Sequence, residues 1–140
     1  AAQIWQIAQP GDVIALWGDL GAGKTAFARG FIQAATSLDE EVPSPTFTLL
    51  QTYESPAGLI HHFDLYRIEQ ADEVLELGIE DAFADGITLI EWPGNMGHWL
   101  PRARLDLELT VHDNVTTRTA KLTATDPTWQ ARLADLNLQG

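Results

Sequence analysis

The sequence predicts a single α/β domain with a central mixed sheet, in which a parallel core is extended by antiparallel hairpins and flanked by helices. A short apolar run at 13–17 is followed by a glycine-rich turn and a segment with helical spacing, the order of a parallel α/β unit. Strand-like segments at 46–53 and 59–66 are separated by a short turn, so they are antiparallel, because a parallel crossover needs roughly a dozen residues or more. The alternating segments 104–112 and 117–125 predict a second hairpin.

Residues 18–25 carry the phosphate-binding pattern GDLGAGKT between the apolar run and the helical segment. Glycines allow the chain to fold tightly with its N–H groups pointing inward, and the helix that follows adds the positive end of its dipole. In this pattern Lys24 reaches the β- and γ-phosphates and the Thr25 hydroxyl holds Mg²⁺. The alternative, a glycine-rich turn that binds nothing, is disfavoured by the matching strand and helix. We therefore predict a P-loop NTPase domain that binds a nucleoside triphosphate.

The segments around this unit follow from local patterns. Residues 1–9 have helical spacing, and we interpret them as the remainder of a truncated amphipathic helix. Proline and glycine at 10–12 end that helix, and the helix after the glycine loop runs to about Thr36. Residues 37–45 are polar and contain prolines, which is typical of a loop.

Farther along, a helix is predicted over 69–77, with Gly78 in the C′ position that favours glycine. Residues 87–90 form a short buried strand that ends at Glu91. The prolines and glycines of 92–101 indicate a loop.

The C-terminal segment, 126–140, begins with a helix start signal. Asp126 is an N-cap residue followed by a proline, so a terminal helix opens there and runs through Leu136. An Asp-Asn pair at 113–114 marks the turn of the second hairpin. We treat residues 1–140 as one P-loop ATPase domain.

Composition limits the classes of partner. The chain has 140 residues, no cysteine and a formal net charge of −12. The absence of cysteine suits a reducing cytoplasm, and no apolar run approaches the length that spans a membrane, so we expect a cytoplasmic protein without membrane contact. Strong acidity works against direct, tight binding of RNA. It either keeps the protein soluble or matches a basic partner protein.

A P-loop also needs an acidic group near Mg²⁺, usually at the end of an apolar strand. Glu91 ends the cleanest such strand, and Asp64 lies near the end of a less apolar one. Both positions are plausible because ligands of parallel sheets bind beyond the carboxyl ends of the strands. The alternative for each is a carboxylate that caps a helix or pairs with an arginine such as Arg67.

Other side chains give weaker signals. Thr46 and Thr48 follow a proline-rich segment where a switch loop would order around Mg²⁺ or the γ-phosphate, or they are simply β-branched residues of an exposed strand. His61 and His62 point to opposite faces of a strand, which favours packing or surface roles over a shared metal. Trp92 stands out among the tryptophans because it follows Glu91.

Together, these motifs resemble the TsaE (YjeE) family of bacterial P-loop ATPases. The resemblance runs from about Gly11 to Pro101 and continues more weakly to Leu122. The P-loop alone is widespread, but HFDLYR followed by LIEW is close to diagnostic of the family. The segments that carry the resemblance are 18–25, 29–30, 44–49, 62–67 and 89–92.

The resemblance implies a role in forming N6-threonylcarbamoyladenosine, a tRNA modification next to the anticodon. It implies ATP and Mg²⁺ as ligands, weak hydrolysis by the chain alone, and action with TsaD, which transfers the threonylcarbamoyl group, and TsaB, its dimerisation partner. tRNA is then met only through the complex. The implied catalytic residues are Lys24, Asp64 and Glu91, and the implied metal ligands are Thr25 and Glu91. The implied nucleotide-binding residues are Asp19, Leu20, Gly21, Ala22, Gly23, Lys24, Thr25, Thr46 as a switch, Trp92, and Arg118 with the N-terminal segment near the adenine.

Two rival functions remain at this stage. A small-molecule kinase usually closes an arginine-bearing lid over the triphosphate, and no such segment is visible between Leu77 and Pro101. A nucleotide-gated module would use ATP binding rather than hydrolysis to drive assembly. The sequence lacks an N-K-x-D element for reading guanine, which favours ATP over GTP.

Overall fold

The structure is a computed structural model that describes residues 1–19, 22–43, 45, 48–111, 118–124 and 126–135, and the backbone alone of Arg118. Within these residues, no helix has the length and apolar character needed to cross a membrane. In chain order the elements are α1 (Ala2–Ile7), β1 (Val13–Trp17), α2 (Lys24–Ala35), β2 (Leu50–Ser55), β3 (Gly58–Asp64), α3 (Glu73–Glu76), α4 (Ile79–Asp85), β4 (Gly86–Glu91), a 3₁₀ segment (Pro93–Trp99), β5 (Leu105–Val111), β6 (Arg118–Ala124) and α5 (Pro127–Ala134).

The strands of the described chain form one six-stranded sheet in the order β2-β3-β4-β1-β5-β6. The central strands β3, β4, β1 and β5 run parallel, whereas β2 and β6 pair antiparallel with β3 and β5 at the two edges. Both predicted hairpins are present, so the predicted α/β class with a mixed sheet and flanking helices is confirmed. In the parallel core, the carboxyl ends of β1, β3 and β4 lie side by side along the same margin of the sheet, and ligands bind beyond these strand ends in such folds.

Helices cover both faces of the sheet. Strand β1 contributes to both faces because successive strand side chains point to opposite sides, and all of its residues except Trp17 are buried. The face covered by α1, α2 and α5 buries Ile4, Ile14, Leu16, Phe31, Ile32, Leu107 and Trp129. The face covered by α3, α4 and the 3₁₀ segment buries Val13, Phe63, Val74, Ile79, Ile90 and Met96.

The predicted helix over 69–77 is wrong at its start. Helix α3 begins only at Glu73, because the carboxylate of this residue accepts bonds from the N–H groups of Glu69 (2.7 Å) and Gln70 (2.8 Å) and closes a turn there. Gly78 is left-handed (φ 76°), as its predicted C′ position requires, and it also starts α4, which the sequence analysis did not predict.

Several strand ends differ from their predicted positions. Strand β2 begins at Leu50, since Leu49 has φ 66° and its N–H turns to the carbonyl of Pro45 (2.6 Å). Strand β3 ends at Asp64, because the Tyr66 N–H bonds to the Asp64 side chain and leaves the ladder. The predicted loop over 92–101 contains the 3₁₀ segment, which has a kink at Gly97.

The C-terminal helix begins as predicted. The Asp126 carboxylate accepts the N–H of Thr128 at 3.2 Å, and α5 is described as far as Ala134, so the predicted end at Leu136 lies outside the described residues. The hairpin turn predicted at 113–114 also lies outside them. Strands β5 and β6 are paired from Leu105 with Ala124 to Val111 with Arg118.

Candidate nucleotide-binding site

The glycine loop lies between the carboxyl end of β1 and the first turn of α2. Gly18 has φ 140°, and a Cβ there would lie 2.7 Å from the Leu109 carbonyl oxygen, so both the backbone conformation and the space require glycine. Gly23 is also left-handed (φ 108°) and precedes α2. Helix α2 has 12 residues, with no side-chain cap and no acidic residue in its first turn. Its N-terminal end is therefore a suitable place for an anion.

Lys24 is almost fully buried, with 4% of its surface exposed. Its ammonium donates to the carbonyl oxygens of Gly18 and, at 3.2 Å, of Asp19, and it lies 3.6 Å from the centre of the Trp92 ring. Burial lowers the pKa of Lys24, and the negative charges of Glu91, Asp64 and Asp19 partly oppose that effect. The charge thus lies where phosphate oxygens would approach the loop.

Thr25 and Glu91 are in direct contact. The Thr25 hydroxyl donates to Glu91 Oε1 at 2.8 Å, and its distance to Oε2 is 3.1 Å. Glu91 is 2% exposed and ends β4, whose register places it beside Leu16 of β1 and Asp64 of β3. The two acids predicted from separate strands therefore lie on neighbouring strands at the same edge of the sheet.

Asp64 and Trp92 complete this edge. The Asp64 carboxylate is buried and accepts the Tyr66 N–H at 3.1 Å. Trp92 has φ 60°, and its ring centre lies 5.1 Å from that of Tyr66. Its indole thus contacts both Lys24 and the exposed Tyr66.

The protein-family comparison decides the relationship. Residues 1–120 match the model of the family described as threonylcarbamoyl adenosine biosynthesis protein TsaE. The chain belongs to the TsaE family. The resemblance predicted from the motifs is confirmed.

Individual relatives agree with this family. The tRNA threonylcarbamoyladenosine biosynthesis protein TsaE of Rickettsia bellii is 42% identical over 106 residues, which are 76% of this chain and 74% of that protein. The TsaE of Bacillus subtilis is 42% identical over 101 residues, 71% of this chain and 62% of the relative. The crystal structure of Bacillus subtilis YdiB superposes with a TM-score of 0.78 at 29% identity, covering 96% of this chain and 82% of that one.

His62 is the site residue of this TsaE-family chain that sequence analysis missed. Its Nε2 lies 2.7 Å from Glu91 Oε2, and its side chain is fully buried. The signal was the period of two along a strand: His62 precedes Asp64 by two residues and so shares its face. His61 points to the other face, where it contacts Asp85 (2.8 Å) and Thr52 (3.2 Å), so the two histidines lie on opposite faces of β3 as the strand alternation predicts.

A cleft of about 770 Å³ opens beside the loop, between the end of β1, the 3₁₀ segment and the end of β5. Of the predicted residues, Asp19, Ala22 and Trp92 line it. Its rim includes Val111, which pairs through the backbone with Arg118. The remaining lining residues are Leu16, Trp17, Gly18, Pro93, Gly94, Asn95, Glu108, Leu109 and Thr110.

The remaining predicted residues cannot all be placed. Leu20, Gly21 and Thr46 lie outside the described residues, as does the side chain of Arg118. Thr48 is described and lies in the turn before β2, where its hydroxyl contacts Gln51. No group of three or more His, Cys, Asp or Glu side chains in the described part of the chain could hold a metal ion. A cation here would need ligands from elsewhere, such as a hydroxyl and phosphate oxygens.

Proposed function

We propose that this chain is a Mg²⁺-dependent ATPase that supports the N6-threonylcarbamoyladenosine modification of tRNA next to the anticodon. It acts with TsaD and TsaB in the cytoplasm, away from membranes, and meets tRNA only through that complex. Residues 1–140 work as one P-loop ATPase domain. Membership of the TsaE family, with relatives that are tRNA threonylcarbamoyladenosine biosynthesis proteins, supports the pathway.

The meeting of Lys24, Thr25 and Glu91 at the start of α2 is the observation that carries the ATPase proposal. A buried ammonium, a hydroxyl and a buried carboxylate converge beside the glycine loop. A structural lysine rarely loses nearly all its solvent contact without a carboxylate partner at bonding distance, and Lys24 instead donates to two carbonyl oxygens of the loop. Phosphate oxygens are stronger acceptors for an ammonium than carbonyl oxygens are.

Mg²⁺ fits the donor set of Thr25 and Glu91. Neighbouring ligands of an octahedral Mg²⁺ at about 2.1 Å lie about 3 Å apart. The Thr25 hydroxyl oxygen lies 2.8 Å from Oε1 and 3.1 Å from Oε2 of Glu91. One protein hydroxyl and one carboxylate, completed by phosphate oxygens and water, are the usual ligands of Mg²⁺ at phosphate sites. When bound, the ion neutralises charge on the phosphates.

Phosphoryl transfer depends mainly on positioning and charge neutralisation, and the chain supplies groups for both. The backbone of 18–25 cradles the phosphates and Lys24 neutralises them. Either Asp64 or Glu91 orients the attacking water. Both oxygens of Glu91 contact Thr25 or His62, and the contact with Thr25 supports Glu91 as a ligand of the metal.

A further positive charge comes from the partner in this proposal. The Arg29 side chain donates to the Val42 carbonyl at 3.3 Å and therefore faces the loop before β2 rather than the phosphates. A cationic group from TsaD would complete the site. The net charge of −12 favours docking onto a basic surface of that partner.

Equilibrium binding of ATP to Lys24→Ala tests the phosphate site. A charge-assisted hydrogen bond contributes about 1.5–3 kcal/mol, so we expect the affinity to fall by about tenfold or more. Lys121→Ala is the matched control, because the chain has only this other lysine and it is exposed on β6. Equal affinities for wild type and Lys24→Ala would show that the phosphate site is misassigned.

Glu91→Gln separates hydrolysis from nucleotide-gated assembly. The amide keeps the shape of the side chain but holds a cation poorly. We therefore expect ATP still to bind, with a smaller gain in affinity from Mg²⁺, while hydrolysis falls by about tenfold or more. If this variant cannot hydrolyse ATP and still supports repeated rounds of tRNA modification, ATP binding alone drives the cycle, and the ATPase proposal is wrong.

A further inference from the structure

We propose that His62 is a positioning residue: its Nε2–H holds the Glu91 carboxylate in the orientation that faces Thr25 and the metal. This inference rests on the proposed function, because it gives His62 a role through the proposed metal ligand Glu91. The histidine itself touches neither nucleotide nor metal in this account.

The contact between the two side chains is short and excluded from water. His62 Nε2 and Glu91 Oε2 are 2.7 Å apart, and the side chains are 0% and 3% exposed. The residues lie on the adjacent parallel strands β3 and β4, with Asp64 paired with Glu91 and His62 paired with Leu89. The histidine is therefore fixed by the sheet rather than by a loop.

The direction of the hydrogen bond follows from the chemistry of the carboxylate. An ionised carboxylate only accepts hydrogen bonds, so Nε2 of His62 carries the proton. Nδ1 is buried and has no partner among the described residues. Nε2 is therefore the ring nitrogen that meets a partner, and its N–H donates to Glu91 Oε2.

A packing role alone does not account for this arrangement. Ile60 lies two residues earlier on the same face of β3 and is also fully buried. An apolar residue at 62 would fill that layer without leaving the polar Nδ1 atom unpaired. The bond to Glu91 is the feature that an apolar residue could not provide.

The consequence for Glu91 is a carboxylate held from two sides. The Thr25 hydroxyl approaches from α2 and His62 from β3. The Thr25 hydroxyl is itself a proposed metal ligand, whereas His62 binds no metal and stays fixed in the sheet. Without His62, the carboxylate loses the donor that fixes Oε2 and can rotate about its terminal bond. Groups that orient a metal ligand commonly change metal affinity or activity by about 10–100-fold.

The test measures ATP affinity with Mg²⁺ and with EDTA, and uses the ratio of the two. His62→Phe keeps a ring and removes the donor. We expect its ratio to be lower than that of wild type by about tenfold or more, while its affinity in EDTA equals that of wild type. His62→Gln carries an amide nitrogen the same number of bonds from the backbone, and we expect it to restore most of the ratio. His61→Phe is the matched control on the opposite face, with an unchanged ratio.

Each outcome bears on a different claim. If wild type shows no Mg²⁺-dependent ATP binding, the proposed function fails. If wild type shows it and His62→Phe keeps the full ratio, the positioning role is overturned. Nitrogen-15 NMR of the wild-type imidazole judges the contact even where His62→Phe does not fold: a proton on Nε2 agrees with the inference, and an unprotonated Nε2 contradicts it.

Discussion

At the residue scale, the charged side chains of the candidate site are almost fully buried. Lys24, Asp64 and Glu91 are each at most 4% exposed. Such groups are costly to bury unless partners compensate them. Among the described residues, Lys24 is held by carbonyl oxygens and an aromatic ring, with no carboxylate in direct contact. Under the proposed function, an anionic ligand at this site would compensate the buried charge of Lys24.

The burial of Lys24 predicts how the free energy of unfolding changes with pH. Burial lowers the pKa of Lys24 from 10.5, so between the lowered value and 10.5 the folded protein binds fewer protons than the unfolded chain. The free energy of unfolding of wild type, relative to Lys24→Met, should therefore rise as pH increases through that window. Urea denaturation of both proteins measures the difference. Subtraction removes the contribution of Tyr53, whose pKa is raised by burial and by Glu40. A difference that is constant or falls with pH would contradict the account.

The loop and acidic residues that sequence analysis predicted for the candidate site each belong to a local motif. The glycine loop needs only its own eight residues and their flanks, and Glu91 ends a recognisable strand. His62 was missed because its contact with Glu91 depends on the pairing of β3 with β4. The period of two places His62 on the face of Asp64 but does not show which residue of β4 it meets. Trp92 was predicted as a site residue, but its left-handed backbone and the contact of its ring with Lys24 are visible only in the structure.

At the element scale, the pairing of β3 with β4 aligns Asp64 with Glu91. The other end of this pairing depends on Gly86. Its backbone is extended, but a Cβ there would lie 2.4 Å from the Leu59 carbonyl oxygen and 3.1 Å from His61 Nε2. The glycine thus permits the two strands to approach closely at this end of the pairing.

Gly86→Ala should consequently destabilise the fold. Because the clash is with backbone, we expect a loss of about 2 kcal/mol in the free energy of unfolding, measured by urea denaturation. Gly94→Ala is the matched control, since its Cβ would make an ordinary contact of 3.6 Å with Trp17. It should change stability by less than about 0.5 kcal/mol. Equal effects of the two substitutions would show that the β3–β4 approach does not depend on Gly86.

Element types were predicted more reliably than their ends. The two hairpins, β1, α2 and β4 follow from apolar patterns and turn residues. The start of α3 was wrong because the Glu73 side chain caps the preceding turn. Helix α4 was not predicted, although its buried Ile79 and Ala82 complete one face of the sheet. Side-chain caps and short helices depend on tertiary contacts that local propensity does not contain.

At the scale of the whole molecule, an ion pair ties the C-terminal helix to the start of β1. Arg132 Nη1 and Nη2 donate to the Asp12 carboxylate at 2.7 and 3.0 Å, and Nη1 also donates to the Ile7 carbonyl. The partners are 120 residues apart in sequence and 14% and 12% exposed. Below them, Trp129 is buried against the sheet.

A double-mutant cycle measures the coupling energy of the ion pair between Asp12 and Arg132. With Asp12→Asn and Arg132→Gln, we expect a coupling energy of about 1–2 kcal/mol, because the pair is bidentate and largely buried. The pair of Arg104 and Asp106 is the control: it has one contact of 2.8 Å at 24% and 28% exposure and should give less than about 1 kcal/mol. A coupling energy for Asp12 and Arg132 that does not exceed that for Arg104 and Asp106 would contradict a stabilising role for the buried ion pair.

The proposed reaction is ATP hydrolysis in a complex with partners, so steady-state ATP hydrolysis, alone and with TsaB and TsaD, is its most direct test. We predict weak hydrolysis by the chain alone, strong stimulation by the two partners together, and loss of the stimulated rate in Lys24→Ala. Rapid hydrolysis by the chain alone that the partners leave unchanged would contradict an active site completed in the complex, and with it the proposed role in tRNA modification.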